Sequence, residues 1–476
     1  MNMLDFKIKE KFPMESVLKN PEIYGVFSGY NLPSFVKDWL IQRNSTQEGK
    51  IDEENLRLFL NRHIAQKNKK IIKGTLINDY IPITLLSRII IEPDIRSGVI
   101  KFSIPDLGIG PNEGIVPNYI AEKHPELKGG EVWGVVKLSY SPPDNGKMGF
   151  IEIVDYKSFK PYEVDLEYFK QKRNDFTIAE WIDLLIRSME YNPEGFESLQ
   201  QKLLFISRLL IFVEPNLNMF ELAPKGTGKS YVFNNLSKYG WVISGGVISR
   251  AKLLYDISRK TPGLLTLYDF VAIDEVETIK FTDESELRGA LKNYLESGTF
   301  SVANYKGESS AGLMVLGNIP LTQERKPVDN RYFANLHKFF NDPALLDRFH
   351  GFIEGWKLPR MREDLIIRGY ALNVEYFSEI LHELRTDSQF RNIVEKLVHV
   401  PKDADTRDKN AIIKLATAYL KLIFPHVKHP ENIDKKDFEM YCLDPAIKMR
   451  EIIKTQISYI DPEFSREVPN IKIKDY

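Results

Sequence analysis

At 476 residues, with 43% hydrophobic and 28% charged positions, the chain has an ordinary globular composition and the length of two to four domains, because single cores stop growing well before that size. Its 65 Lys and Arg against 66 Asp and Glu leave a formal net charge of −1, so contacts with nucleic acid or membrane are confined to local patches. The one cysteine, Cys442, excludes an internal disulfide, no apolar run nears the roughly 20 residues of a membrane span, and the first residues lack a signal-peptide core; a cytoplasmic protein with no membrane partner is expected.

Up to about Tyr80, apolar residues recur every three to four positions, as in residues 32–40 and 51–60, which predicts an N-terminal helical domain over 1–80. From Ile81 the period shortens. Arg88-Ile-Ile-Ile91, Val99-Ile-Lys-Phe-Ser103 and Glu131-Val-Trp-Gly-Val-Val-Lys-Leu138 read as strands, and Pro143-Asp-Asn-Gly146 as a hairpin turn, giving a small barrel-like β domain over 81–175. Thr177-Ile-Ala-Glu180 has capping-box spacing and is followed by Trp181, Leu184, Leu185 and Met189 on one helical face. That helix opens a domain over 176–362, where apolar strands at 218–222, 241–244, 267–273, 313–317 and 349–354 alternate with helices. Such alternation implies an α/β fold, a parallel sheet covered on both faces. Residues 363–476 read as helical and polar.

Ala223-Pro-Lys-Gly-Thr-Gly-Lys-Ser230 fits the P-loop pattern, with Ala in place of the first Gly. Gly226 and Gly228 free the backbone so that N–H groups, that of Thr227 among them, can turn toward phosphate oxygens. Lys229 would bridge the outer phosphates of ATP, and the Ser230 hydroxyl would bind Mg²⁺. At Phe270-Val-Ala-Ile-Asp-Glu275 a strand ends in adjacent carboxylates, the Walker B arrangement. There Asp274 would hold Mg²⁺ through water and Glu275 would orient and deprotonate the attacking water. Leu313-Met-Val-Leu-Gly-Asn318 ends in an amide able to donate to a γ-phosphate, although a lone Asn there is more often a turn residue. Arg348, in Ala344-Leu-Leu-Asp-Arg-Phe-His350, reads either as a transition-state cation or as an ion-pair partner of Asp347. Residues 298–307 read as a short hairpin with Tyr305 and Lys306 near its tip, either a grip on a backbone phosphate or peptide or a plain surface hairpin. The eight histidines are scattered outside zinc-binding spacings, which argues against metal-hydrolase chemistry.

These motifs and the residues around them resemble the BREX phage-defence AAA+ family, the Lon-related BrxL-type proteins, over roughly residues 85–461. The likeness extends to Ile104-Pro-Asp-Leu-Gly108, Glu122-Lys-His-Pro-Glu-Leu127, Trp133-Gly134, Glu180-Trp-Ile-Asp-Leu-Leu185, Tyr191-Asn-Pro-Glu-Gly-Phe196 and Ser244-Gly-Gly246. The resemblance implies an AAA+ P-loop core behind an OB-like β domain and ahead of a helical lid, with a core related to Lon proteases and MCM-type helicases. It implies Asn318 as first sensor, Arg348 as a finger into a neighbouring subunit's ATP, and Arg360 or Arg362 as second sensor. It further implies a homo-oligomeric ring, a hexamer or double ring, with DNA and other defence-system proteins as partners. Longer members carry a Lon-like domain with a Ser-Lys dyad after the ATPase module. About 110 residues follow Arg362 here, which suits a lid and little more, so a short form without intrinsic protease activity is expected. Glu308-Ser-Ser-Ala-Gly312, faintly like a Lon serine motif, falls inside the ATPase core and is taken as coincidence. The alternative function is an ATP-dependent Lon-like protease or unfoldase component.

Overall fold

Five short apolar runs of the chain become parallel strands: Met219–Ala223, Gly240–Ser244, Phe270–Asp274, Gly312–Asn318 and Gly351–Glu354. The computed structural model describes residues 2–45, 51–65, 68–94, 97–128, 130–144, 148–159 and 164–474, so Asn145 and Gly146 of the expected hairpin turn lie outside the described residues. The strands lie within a few residues of their expected places. The main shift is at 267–269, a turn and bend that follows the 3-10 turn Leu264–Thr266, so that the strand starts only at Phe270. Strands covered on both faces read as continuous apolar runs, and Met219–Ala223 is buried at all five positions. Across the sheet the five lie in the order fifth, first, fourth, third, second, and every pairing is parallel. All carboxyl ends therefore share one edge, with Asn318 level with Ala223 and Asp274 level with Ser244. Sites in open parallel sheets form just beyond that edge.

The contacts divide the chain into two units, Met1–Pro21 with Val164–Tyr476, and Glu22–Glu163. This differs from boundaries at 80, 175 and 362, for reasons of long-range packing. The first residues join the sheet-bearing unit because Ser16–Lys19 pairs antiparallel with Gly369–Leu372. Buried Asp5 reinforces that pairing, lying 2.6 Å from Arg187 and accepting a hydrogen bond from the Tyr370 amide. The capping box forms as expected, with Thr177 and Glu180 each satisfying the other's backbone N–H at the start of Ile178–Ser188. Residues 363–476 are helical but far from uniformly polar. Helix Thr406–Ile423 buries Ile412, Leu415, Ala416, Tyr419 and Leu420, and Ile453 and Ile457 of Asp444–Ser458 pack in one hydrophobic cluster with Phe349 and Phe352 beside the sheet. These helices and the sheet therefore share one core.

In the Glu22–Glu163 unit, strands Ile83–Asp94, Val99–Ile104, Ile109–Val116, Gly130–Ser141 and Phe150–Ser158 close into a barrel. The first strand pairs with the second and fourth, and the third lies parallel to the fifth. Register shifts in two of the ladders help a sheet curl shut. The preceding helices belong to the same unit because their apolar faces need the barrel. Phe35 and Trp39 of Ser34–Arg43 pack on Trp133 and Phe159, and Leu76 of Lys69–Asn78 joins the barrel core. Among the described residues no helix is long and apolar enough to cross a membrane.

Candidate nucleotide site

The loop between strand Met219–Ala223 and helix Lys229–Asn235 turns on two left-handed glycines, Gly226 at φ +84° and Gly228 at φ +72°. A Cβ on Gly226 would meet nothing within 4 Å, so there glycine serves conformation alone. A Cβ on Gly228 would lie 1.8 Å from the Tyr191 hydroxyl, so there glycine also supplies room. The loop is held from within the protein. Arg208 donates to the Thr227 carbonyl at 3.0 Å and pairs with Glu221, both side chains at 0% exposure, while the Met361 amide donates to the Gly226 carbonyl at 2.7 Å.

On the open side of the loop, Lys229 donates to the Asn318 side-chain oxygen at 3.0 Å, and the Asn318 amide donates to the Glu277 carboxylate. First and fourth strands are neighbours, which is what places Lys229 beside a strand-end asparagine 89 residues later. Asp274 is 5% exposed at the end of its strand, and its carboxylate accepts a hydrogen bond from the Glu275 amide at 2.9 Å. Glu275 is exposed and itself left-handed at φ +49°. Ser230 is half-buried in the first turn of the helix. An open cleft of about 500 Å³ is lined by Pro224, Lys225, Glu277, Asn318 and Arg360, among others. A neighbouring cleft of about 410 Å³ shares Arg360 and adds Arg325 and Arg362.

The two candidate second sensors differ. Arg362 is tied to the Asp364 carboxylate at 3.0 Å and to the Gly195 carbonyl at 3.2 Å. Arg360 is exposed, lines both clefts and has no hydrogen bond or ion pair to any described residue. The pairing of Arg348 with Asp347 that the sequence offered is not formed. Asp347 is taken by Arg450 at 2.6 Å and Arg407 at 3.1 Å, and Arg348 instead lies 2.9 Å from Glu296, a close ion pair without hydrogen-bond alignment. Among the described residues Arg348 has no hydrogen bond or ion pair with Lys229, Asn318 or Glu277, its contacts being with Glu296 and the Ala344 carbonyl.

The hairpin pairs Thr299–Val302 with Tyr305–Glu308, and because Val302 faces Tyr305 its tip is Ala303 and Asn304. Tyr305 does not project freely: its ring stacks on Tyr255, centroids 3.7 Å apart and 6° from parallel. Lys306 is exposed. Ser309 and Ser310 close the hairpin's base, the Ser309 hydroxyl donating to the Leu265 carbonyl and the Ser310 carbonyl receiving the Asn216 amide at 2.7 Å. Among the described residues no group of three or more His, Cys, Asp or Glu could hold a metal ion.

Sequence reasoning missed Glu277, Tyr191 and Arg208. Tyr191 lay in a segment noted only for its family resemblance. The other two carried no local signal, since Glu277 reaches Asn318 only through the turn after the strand and Arg208 meets Glu221 only through packing.

Residues 151–470 match a family model described as "Lon-like protease BrxL-like, ATPase domain", so the sheet-bearing part of the molecule is an ATPase domain of that class. Residues 10–140 match one described as "BREX system Lon protease-like protein BrxL N-terminal". The chain belongs to the BrxL-like family. It is similar to the Lon-like protease BrxL of Escherichia coli O9:H4 (strain HS), 27% identical over 457 residues that cover 92% of this chain and 64% of that protein. It is likewise similar to the Lon-like protease BrxL of Bacillus cereus (strain H3081.97), 27% identical over 490 residues covering 98% of this chain and 70% of that protein. The chain thus spans about two thirds of the length of these curated relatives.

Proposed function

We propose that this chain is a cytoplasmic, ring-forming AAA+ ATPase of a BREX-type antiphage system that uses ATP binding and hydrolysis to bind or act on DNA. The observation that carries the reading is the 3.0 Å contact of Lys229 with Asn318 beside buried Asp274, at the shared carboxyl edge of the sheet and next to two left-handed glycines. ATP with Mg²⁺ supplies the phosphoryl group to be transferred and the charge that the loop binds. The residues present fit it. Gly226 leaves open space where a phosphate would approach, and Mg²⁺, which usually keeps several waters and takes one or two protein oxygens besides phosphate, needs no cage beyond Ser230 and Asp274. The backbone N–H groups of Gly226, Thr227 and Gly228 would cradle the phosphates, and Lys229 would neutralise them. Glu275 holds and deprotonates the attacking water. Asn318 orients that water and the terminal phosphate. Arg360, without a hydrogen bond or ion pair among the described residues and lining the cleft, is the better second sensor, with Arg362 restrained by Asp364. Arg348 acts in trans, leaving Glu296 for a neighbouring subunit's nucleotide, an effect worth roughly 10³ to 10⁵ in rate for arginine fingers as a class.

The closed barrel, with its first strand between second and fourth and its third parallel to its fifth, supports an OB-like reading and a nucleic-acid surface of its own, and exposed Lys306 of the hairpin is a separate candidate for a phosphate contact. The helices after Arg362 serve as the lid. A second reading, a protease or unfoldase component, rests on the name its relatives carry. Casein breakdown by purified protein that stops on Arg348→Ala would favour it.

The deciding experiment measures particle size by light scattering and phosphate release with and without DNA, for wild type and Arg348→Ala. A hexamer-sized or larger particle whose hydrolysis rises with DNA, and whose Arg348→Ala form keeps its size but loses turnover, supports the reading. A monomer indifferent to DNA withdraws the ring, the finger and the DNA role together.

A further inference from the structure

The geometry points to Glu277 as a positioning residue that sets how strongly the site prefers a nucleoside triphosphate over a diphosphate. The inference rests on the nucleotide reading above and goes beyond it, because the roles assigned there leave Glu277 unused.

Three features place this carboxylate. Left-handed Glu275 bends the chain sharply just past the strand, and the Thr278 amide closes the turn on the Glu275 carbonyl at 2.8 Å. Val276 is buried as the anchor of the turn, so Glu277 is carried back over the end of the neighbouring strand. A Cβ built on Gly317 would lie 3.3 Å from Val276 and 3.6 Å from the Glu277 carboxylate. From there Glu277 accepts the hydrogen bond of the Asn318 amide, while Asn318 in turn accepts from Lys229 at 3.0 Å.

Lys229 therefore spends one of its three N–H donors, and Asn318 one of its two, inside the protein, and the outer end of the chain is a carboxylate lining the cleft. A phosphate drawn to Lys229 and Asn318 shares these donors with their protein partners and must come close to a like charge at a distance where repulsion is strong. A diphosphate held on the glycine loop leaves Asn318 with Glu277 and meets little of this repulsion. Glu277 thus opposes the third phosphate until the Asn318 amide turns away from it, and so links release of Asn318 to the arrival of that phosphate. Glu275, exposed on the other side of the turn, is not part of this chain of contacts.

The test is isothermal titration of the full chain with Mg²⁺ and either ADP or a non-hydrolysable ATP analogue, for wild type, Glu277→Gln and Glu277→Ala. Removing the charge should tighten the triphosphate analogue about tenfold, a change of about 1.4 kcal/mol, and move ADP less than about twofold by the same measure. Glu277→Ala guards against an effect peculiar to the glutamine amide and should move the ratio of the two affinities in the same direction. Equal shifts for both nucleotides, or a weaker triphosphate, would overturn the inference. So would loss of hydrolysis at saturating ATP with the affinity ratio unmoved, which would make Glu277 a base instead. If folded wild type binds neither nucleotide, the nucleotide reading itself fails; if wild type binds both, Lys229→Ala binds neither and the ratio is unmoved in the Glu277 variants, only the role of Glu277 falls.

Discussion

Beneath the glycine loop, Arg208 and Glu221 face each other at 0% exposure, and Arg208 also holds the Thr227 carbonyl. On the open side, Lys229, Asn318 and Glu277 form a chain of hydrogen bonds that ends on an exposed carboxylate. The first cluster has no water to replace a lost partner, so it forms a fixed floor. In the second, Lys229 is buried at 7% exposure, but half-buried Asn318 and exposed Glu277 can exchange their contact with solvent or ligand, a hydrogen bond contributing a net of only about 0.5–1.5 kcal/mol. A phosphate site needs both properties, a backbone that does not move and side chains that do.

The comparison breaks most visibly at Arg208. Arg208→Ala leaves Glu221 buried and unpaired and should cost about 3–5 kcal/mol, read as a fall in the urea midpoint; a loss under about 1 kcal/mol would mean that the floor is not load-sharing in the way the burial implies. Next is the pair of glycines. Gly228→Ala forces a Cβ into the Tyr191 hydroxyl, a cost of about 1–3 kcal/mol on top of the left-handed penalty of roughly 1–2 kcal/mol that Gly226→Ala, facing open space, carries alone. Parallel melts of the two variants test whether room or conformation dominates. Thr177→Ala removes one half of the capping box and should cost about 1 kcal/mol without touching nucleotide binding.

The smallest expected effects are in pH dependence. Burial pulls the His382 pKa down, but the Asp269 carboxylate bonded to its ring at 2.6 Å outweighs it and holds the imidazolium above its ordinary value of 6.5. Its contribution is full below pH 6.5 and is lost as pH rises through the raised value, so Asp269→Asn should flatten the alkaline side of a plot of melting temperature against pH. His426 works in the opposite sense. Burial, helped by Arg173, lowers it to about 4, so the folded state resists its protonation and stability should fall as pH drops from 6.5 toward 4. His426→Gln should reduce that acid-side slope.

Local pattern made much of the fold legible. Apolar strand runs, the Thr177–Glu180 box and the change of period near Ile81 all follow from spacings within a dozen residues, and elements of the expected type occur there. What escaped depends on residues far apart. The first 21 residues belong with the sheet because Ser16–Lys19 finds Gly369–Leu372, a pairing that neither segment announces. Arg348 meets Glu296 instead of its neighbour Asp347 because Asp347 is drawn to Arg450 and Arg407 on helices Asp444–Ser458 and Thr406–Ile423. At the site, the sequence singled out Lys229, Asp274 and Asn318 by motif order, and the structure brings Lys229 and Asn318 into contact. Glu277 needed the geometry of a left-handed turn that glutamate seldom adopts and that sequence spacing does not encode.

The most direct test of the cleft as a nucleotide site is titration of a non-hydrolysable ATP analogue with Mg²⁺ into wild type and Lys229→Ala, both checked for folding by their melts. Saturable binding by wild type that weakens at least about tenfold in Lys229→Ala, about 1.4 kcal/mol, with the melting temperature nearly unchanged, is the predicted result. Equal affinity in the two proteins would contradict the account, because the cation at the centre of the loop would then have no part in holding phosphate.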